Sequence, residues 1–202
     1  MKPEIIVFDL YNTLVKIETK TNGFTKIFQN CSEAIGITHR RFIDLILTQD
    51  IDDLIRRFPS KFQEELERFL PAIEAEINST LPFPETQSVL ENLASKYDLF
   101  LISNLATPYK RPYYELELST WFNRPIFSCD VGFRKPDTQI FEKIELASKR
   151  SGNQILMIGD SISSDIEGAK KMNWNYLRIN RNSMEWKAWE ISSLNEIENR
   201  IN

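Results

Sequence analysis

The chain has 202 residues, a formal net charge of −4 and 42% hydrophobic residues, which is enough apolar material for one domain with an insertion. The charge balance does not indicate the basic face that nucleic-acid binding needs, and no apolar run reaches the roughly 20 residues of a membrane helix. The apolar run after MKPE is too short for a secretory signal, and the two cysteines, Cys31 and Cys129, form no CxxC pair. We therefore expect a cytoplasmic protein with reduced thiols.

The first predicted element is a strand over Ile5–Phe8, which runs directly into Asp9. Its apolar residues are continuous rather than alternating, and this pattern is typical of a strand that is buried on both faces of a parallel sheet.

The next region, from about Thr19 to Leu81, shows no strand pattern. It contains amphipathic segments instead, over Phe24–Ile35, Arg40–Thr48 and Lys61–Ile77. The last segment places apolar residues at helical spacing, namely Phe62, Leu66, Phe69, Leu70, Ile73 and Ile77. We predict a helical insertion that forms either an extra layer of core or a lid over a site at the strand end.

The rest of the chain alternates between strand and helix patterns. Predicted strands cover Leu99–Ile102, Ile126–Phe127, Ile155–Ile158 and Tyr176–Ile179, and predicted helices cover Thr86–Lys96, Asp137–Lys149 and Ser164–Met172. This alternation predicts βαβ units and an α/β fold around a parallel sheet.

Polar residues follow several of these strands. Asp9 follows the first strand, Ser103-Asn104 follow the second, and Asp160 with Asp165 follow Ile155–Gly159. Ligands of open parallel sheets bind at the carboxyl ends of the strands, so these side chains are expected to meet at one edge.

Three carboxylates at one edge would repel one another. Two of them about 4 Å apart repel by roughly 4 kcal/mol at an effective dielectric near 20. Either a proton or a cation relieves this repulsion, and a set of oxygen ligands favours Mg²⁺.

Lys135 precedes Pro136, a residue that suits the first turn of the helix predicted from Asp137. A lysine there opposes the helix dipole by about 0.3–1 kcal/mol, which indicates an anion nearby. A phosphate beside Lys135, Ser103 and Asn104 would account for all three residues.

Together these motifs resemble the haloacid dehalogenase superfamily of hydrolases. The resemblance runs from Ile5 to about Ile179 and rests on Asp9-Leu10-Tyr11-Asn12-Thr13, Ser103-Asn104, Lys135-Pro136-Asp137 with Ile140-Phe141, and Gly159-Asp160 with Asp165. It implies a Rossmann-like core over residues 1–16 and 83–202 and a small all-helical cap domain over residues 17–82.

The resemblance also implies roles for single residues. Asp9 would be the nucleophile of an aspartyl intermediate on a small phosphorylated metabolite. Mg²⁺ would be held by Asp9, Asp160 and the Tyr11 backbone carbonyl, with support from Asp165. The transferring phosphoryl group would contact Lys135, Ser103, Asn104 and Thr13.

Tyr11 departs from the phosphatase pattern, in which a second aspartate protonates the leaving group and later helps water attack. A phenol with a pKa near 10 is a poor general base, so Tyr11 predicts either a slow phosphatase or one that borrows its acid from the cap or the substrate. Tyrosine at this position also resembles the 2-haloacid dehalogenases, which use no metal; Arg40 or Arg41 would then bind the substrate. Against that alternative, dehalogenases generally lack an acid that matches Asp160. A third alternative is a non-catalytic module that binds a phosphate ligand or a protein.

Overall fold

The computed structural model describes residues 2–122, 124–182 and 187–201 of the chain. Its main sheet has six strands: β1 (Ile5–Phe8), β4 (Asp98–Ser103), β5 (Ile126–Phe127), β6 (Ile155–Gly159), β7 (Asn175–Ile179) and β8 (Glu190–Ile191). The order across the sheet is β5-β4-β1-β6-β7-β8, and every neighbouring pair is parallel. The predicted α/β fold is confirmed, and all five predicted strands form.

The central strand explains why its sequence is continuously apolar. β1 lies between β4 and β6, and all four of its residues are buried. Ile6 and Phe8 pack into a cluster on one face of the sheet, whereas Ile5 and Val7 pack into a different cluster on the other face. Because both faces of β1 are covered, its side chains are buried whichever face they point to, and the strand is apolar throughout.

The covering helices are short. They are α5 (Thr86–Ala94), α6 (Arg111–Glu115), α7 (Ser128–Val131), α8 (Thr138–Ser148), α9 (Glu167–Lys171) and α10 (Ile197–Ile201). Among the helices of the described residues, none combines the length and the apolar character that crossing a membrane requires.

Four further helices lie between β1 and α5 and pack mainly on one another. They are α1 (Gly23–Ile35), α2 (His39–Thr48), α3 (Ile51–Arg57) and α4 (Ser60–Asn78). We call them the helical unit. Their buried residues form a separate apolar cluster, which includes Ile27, Phe42, Phe62 and Ile73. The predicted apolar face of α4 is wrong at Leu70, whose side chain is 46% exposed.

A two-stranded antiparallel ribbon leads into and out of the helical unit. β2 (Val15–Ile17) pairs with β3 (Thr80–Pro82). The prediction that no strand lies between Thr19 and Leu81 is therefore wrong at its end. Three-residue strands, one of them ending in proline, are too short to show a periodic pattern.

Two helix starts also differ from the prediction. α8 begins at Thr138 with Asp137 as its N-cap, so Lys135 lies outside the helix and the inference from the helix dipole is wrong. The peptide bond between Lys135 and Pro136 is cis. The predicted helix over Ser164–Met172 is instead one π turn, Ile162–Ile166, followed by α9.

Candidate active site

Three neighbouring strands place polar residues at one edge of the sheet. β1 is followed by Asp9, β4 ends at Ser103, and β6 is followed by Asp160. The Asp9 backbone N–H donates to the Ile158 carbonyl at 2.9 Å, which continues the strand ladder up to the carboxylate. The main chain therefore fixes where the Asp9 side chain begins.

Asp9, Asp160 and Asp165 form a carboxylate cluster, in which one oxygen of each residue lies within 4.8 Å of the others. Asp9 is 7% exposed, Asp165 is fully buried, and Asp160 is half-buried. The sequence-based prediction that these three residues converge agrees with their placement.

Gly159 lets Asp165 reach the cluster. A Cβ atom on Gly159 would lie 2.3 Å from the Asp165 Oδ2 atom, a distance that no real side chain tolerates. The same Oδ2 accepts a hydrogen bond of 2.9 Å from the Ser161 backbone N–H. Any larger residue at position 159 would displace the Asp165 carboxylate.

Lys135 extends its amine into this cluster. The Nζ atom lies 2.7 Å from Asp9 Oδ1, 2.7 Å from Asp165 Oδ1 and 2.9 Å from the Ile102 carbonyl oxygen. The residue is only 2% exposed. Two of these contacts are hydrogen bonds and the one to Asp165 is an ion pair, so Lys135 is a buried cation and not a solvated surface lysine.

Two hydroxyl groups also contact Asp9. Ser103 Oγ donates to Asp9 Oδ1 at 3.2 Å, and Thr13 Oγ1 makes a longer contact of 3.5 Å with Oδ2.

The Asn104 side chain pairs with main chain instead. Its amide donates to the Lys135 carbonyl at 2.9 Å and accepts from the Lys135 N–H at 2.8 Å. Asn104 therefore fixes the loop that carries Lys135.

The charges of the site are unbalanced. Burial raises the pKa of Asp9 to about 7, and the Asp165 and Asp160 carboxylates add to this against the Lys135 ammonium. Burial and Asp165 also raise the pKa of Asp160. Burial opposes the charge on Lys135, but Asp165 and Asp9 nevertheless raise its pKa, so it stays protonated. When all these groups are ionised, two negative charges remain in excess.

The donor set fits a hard divalent cation. All three clustered side chains offer carboxylate oxygens, the ligand type that Mg²⁺ prefers, and the excess charge equals that of one such ion. Asp9, Asp160 and Asp165 are the side chains that could hold it.

Tyr11 lies beside this cluster but its hydroxyl group is engaged elsewhere. It donates a hydrogen bond of 2.8 Å to the Tyr109 backbone carbonyl, and burial raises the pKa of the phenol. The Tyr109 hydroxyl in turn donates to Glu76 on α4. Sequence reasoning missed Tyr109 and Glu76, because neither stands in a motif or at a strand end.

The two candidate arginines lie in a separate cleft. Arg40 and Arg41 line a cavity of about 500 Å³ together with Asp44 and Arg134, and Asp9 is not part of its lining. Asp44 pairs with Arg41 at 2.7 Å and with Arg134 at 2.9 Å.

Known proteins resemble this chain both in sequence and in structure. Glyceraldehyde 3-phosphate phosphatase from Methanothermobacter thermautotrophicus is 34% identical over 128 residues, which are 57% of this chain and 55% of that protein. The chain thus spans about half the length of the curated relatives that it matches.

Solved structures match over the whole chain. A 2-haloacid dehalogenase from Pseudomonas syringae pv. tomato has a TM-score of 0.70 at 21% identity, covering 100% of this chain and 98% of that one. The putative hydrolase YfnB from Bacillus subtilis, in a magnesium-bound structure, has a TM-score of 0.68 at 18% identity over the full length of both chains. At these identities the likeness shows the fold.

The sequence itself matches the haloacid dehalogenase-like hydrolase family over residues 3–173, which include every residue of the cluster described above. The chain therefore belongs to the haloacid dehalogenase-like hydrolases.

Proposed function

We propose that this hydrolase is a Mg²⁺-dependent phosphatase that acts on a small phosphorylated metabolite in the cytoplasm. The observation that supports it is the buried cluster in which Asp9 contacts Lys135 beside two further carboxylates. A phosphatase among the sequence relatives supports the same reaction class. The intermediate would be an acyl phosphate formed on the Asp9 carboxylate.

The cation would be held by the Asp9 and Asp160 carboxylates and the Tyr11 backbone carbonyl, with Asp165 in support. When bound, it would neutralise charge on the phosphoryl oxygens.

The residues around Asp9 prepare its carboxylate for attack. Lys135 and Ser103 donate to Oδ1, whereas Oδ2 accepts only the long contact from Thr13 among the described hydrogen bonds. Oδ2 thus retains lone pairs with which to attack phosphorus as the ester P–O bond breaks. Water then cleaves the bond between Asp9 and phosphorus. Throughout, Asn104 positions Lys135, whose ammonium neutralises the anionic site.

We also propose that residues 17–82 form a cap domain over this edge of the sheet. The hydrogen bond between Glu76 on α4 and Tyr109, whose backbone carbonyl accepts from Tyr11, supports this assignment. A cap so placed would exclude water and contact the part of the substrate that leaves.

Dehalogenation is the second candidate. It is favoured by Tyr11, whose hydroxyl is bonded to a carbonyl, because a departing halide needs no proton. Asp160 disfavours it, since a metal-free reaction has no use for a third clustered carboxylate. Halide release from 2-chloropropionate in metal-free buffer would establish dehalogenation instead.

The test of the phosphatase is an assay of p-nitrophenyl phosphate and a panel of phosphorylated metabolites. We expect activity with Mg²⁺ that both EDTA and Asp9→Asn abolish. Asp98→Asn, the same substitution at the opposite edge of the sheet, is the matched control and should retain activity. Activity indifferent to EDTA and to Asp9→Asn would reject the mechanism. Tight binding of inorganic phosphate without turnover would indicate a non-catalytic module.

A further inference from the structure

Building on the proposed phosphatase function, we propose that its preferred substrates are acyl and aryl phosphates, whose leaving groups depart as stable anions, rather than alkyl phosphate esters. The inference rests on the hydroxyl groups of Tyr11, Ser103 and Thr13, each of which already donates to an acceptor of the protein.

Tyr11 stands two residues after Asp9, where the phosphatase pattern has its acid, but its hydroxyl donates to the Tyr109 carbonyl at 2.8 Å. A hydroxyl group has one hydrogen to donate, so this bond removes it from the leaving group. The Tyr11 ring also packs edge-on against Tyr109, with centroids 6.1 Å apart. To protonate a substrate, the phenol would have to break a buried hydrogen bond.

Tyr109 is itself held in place from the helical unit. Its hydroxyl donates to Glu76, a buried carboxylate that also accepts from the Thr21 N–H, the Thr21 hydroxyl and the Asn22 N–H. Glu76 acts here as an acceptor for four donors and has no proton to give. The carbonyl that accepts from Tyr11 is therefore part of a fixed network.

The side chains that donate hydrogen bonds to Asp9 also have acceptors within the protein. Lys135 donates two hydrogen bonds, to Asp9 and to the Ile102 carbonyl, and its ammonium forms an ion pair with Asp165. Ser103 and Thr13 donate to the nucleophile itself. Within residues 2–122, 124–182 and 187–201, the hydroxyls that donate to Asp9 have no second O–H for a leaving group, and the Lys135 ammonium is held between two carboxylates.

The consequence follows from the chemistry of bond cleavage. As an Asp9 oxygen bonds to phosphorus, the ester P–O bond breaks and the leaving oxygen takes the electron pair. A carboxylate or a phenolate, with conjugate acids of pKa about 4 and about 10, accepts that pair without a proton. An alkoxide does not, and the missing acid is worth about 10²–10⁴-fold in rate.

A cleft beside the cluster could receive such an anion. It has a volume of about 430 Å³, within the usual range for small-molecule sites, and its lining includes Asn12 and Asp160. Three cations also line it, Arg178, Arg181 and the exposed Lys20. Arg178 pairs with Glu190 at 2.7 Å and Arg181 with Glu85 at 2.6 Å, so the cleft offers space for a leaving group rather than a strong positive charge.

The first experiment measures kcat/KM with Mg²⁺ for acetyl phosphate, aryl phosphates of graded phenol pKa, and glycerol 1-phosphate. We expect kcat/KM to fall steeply as the leaving-group pKa rises, by about 10²-fold or more between acetyl and alkyl phosphates. Comparable rates on alkyl and aryl esters would overturn the inference and leave the phosphatase function intact. No turnover of any phosphoryl donor would overturn both.

Two variants of Tyr11 sharpen the result. Tyr11→Asp should raise alkyl turnover most and so flatten the dependence on leaving-group pKa. Tyr11→Phe removes the hydroxyl and should lower the rate by the same factor for every leaving group. A loss confined to alkyl esters in Tyr11→Phe would show that the hydroxyl is a working acid and would contradict the proposal.

A readout that does not depend on turnover comes from intact-mass spectrometry. The second half-reaction forms a bond between water oxygen and phosphorus, breaks the Asp9–phosphorus bond and releases a proton to solvent. Without a base this step is slow, so acid-quenched wild-type protein mixed with acetyl phosphate should contain phosphoenzyme. Asp9→Asn should contain none, and Tyr11→Asp should contain less. Equal amounts in wild type and Tyr11→Asp would contradict the proposal.

Discussion

Two buried carboxylate centres of this protein, at Asp9 and at Glu76, differ in what surrounds them. Glu76 accepts four hydrogen bonds from neutral groups of Thr21, Asn22 and Tyr109. Burial acts to raise its pKa, but the hydrogen bonds from Tyr109 and Thr21 outweigh burial, and the pKa is lowered. Asp9 has the Lys135 ammonium but also faces two carboxylates, and its pKa is raised to about 7, chiefly by burial.

The pKa shifts of the two carboxylates thus have opposite signs. The fold stabilises the ionised form of Glu76, which joins the helical unit to Tyr109 of the core without any further ligand. The raised pKa values of Asp9 and Asp160 show that the fold disfavours their ionised forms, and a bound cation would offset this cost. Burial alone would not distinguish them, because both residues are 7% exposed.

The largest expected effect comes from removing the Lys135 ammonium, which contacts both Asp9 and Asp165. Lys135→Met leaves Asp9 and Asp165 buried without their ammonium, and we expect a loss of about 3–5 kcal/mol in the free energy of unfolding at pH 8 in EDTA. Because a divalent cation supplies the missing charge, Mg²⁺ should restore part of this loss. Urea unfolding followed by circular dichroism measures both quantities.

Lys143→Met is the matched control, since Lys143 is exposed on α8, the helix that follows Lys135. It should change stability by less than about 0.5 kcal/mol. An equal loss in the two variants would mean that the ion pairs of Lys135 with Asp9 and Asp165 do not stabilise the fold.

The second prediction concerns Glu76. Glu76→Ala leaves the donors of Thr21, Asn22 and Tyr109 without their acceptor, and we expect a loss of about 3 kcal/mol in the free energy of unfolding. Mg²⁺ should not restore it, in contrast to Lys135→Met.

Glu74→Ala is the control on the same helix. Glu74 is a partly exposed residue whose ion pair with Arg111 measures 2.7 Å, and its removal should cost at most about 1 kcal/mol. Rescue of Glu76→Ala by Mg²⁺ would show that the two centres are not separate.

The residues of the carboxylate cluster could be predicted from sequence because their placement follows from a local rule. Asp9 and Asp160 each follow a continuously apolar strand, and parallel strands bring their carboxyl ends to one edge. The link from Tyr11 through Tyr109 to Glu76 has no such rule. It joins residues separated by 98 and 33 positions, and only the packing of the helical unit on the core creates it.

The helices and strands could likewise be predicted only where the sequence carries a local pattern. Helices of nine or more residues were predicted because their periodicity is visible in the sequence, and the five predicted strands were identified from their apolar residues. The ribbon of Val15–Ile17 and Thr80–Pro82 and the seven-residue helix Ile51–Arg57 were missed. Elements this short are stabilised by tertiary contacts rather than by their own pattern.

Tyr109→Phe gives a smaller effect that isolates one bond of the Glu76 centre. The variant keeps the ring against Tyr11 and removes only the hydroxyl that donates to the carboxylate, so we expect a loss of about 1.5 kcal/mol in the free energy of unfolding. Tyr114→Phe, at a tyrosine that is 58% exposed, should be neutral within about 0.5 kcal/mol. A neutral Tyr109→Phe would mean that the remaining three donors already satisfy Glu76.

The smallest expected effect has the opposite sign. Burial and Asp165 raise the pKa of Asp160 above its unfolded value of 3.8. Ionised Asp160 therefore lowers the free energy of unfolding at every pH above 3.8. Asp160→Asn removes this charge, and we expect the Tm in EDTA at pH 7 to rise by a few degrees, with the gain vanishing as the pH falls below 3.8. In Mg²⁺ the order should reverse, because the wild type gains about 2.7 kcal/mol at a hundredfold excess over Kd and the variant gains less. Thermal unfolding in the two buffers measures whether the order of the two Tm values reverses. If Asp160→Asn were less stable than the wild type in EDTA as well, the clustered carboxylates would not be repelling one another, and the case for a cation between them would lose its energetic basis.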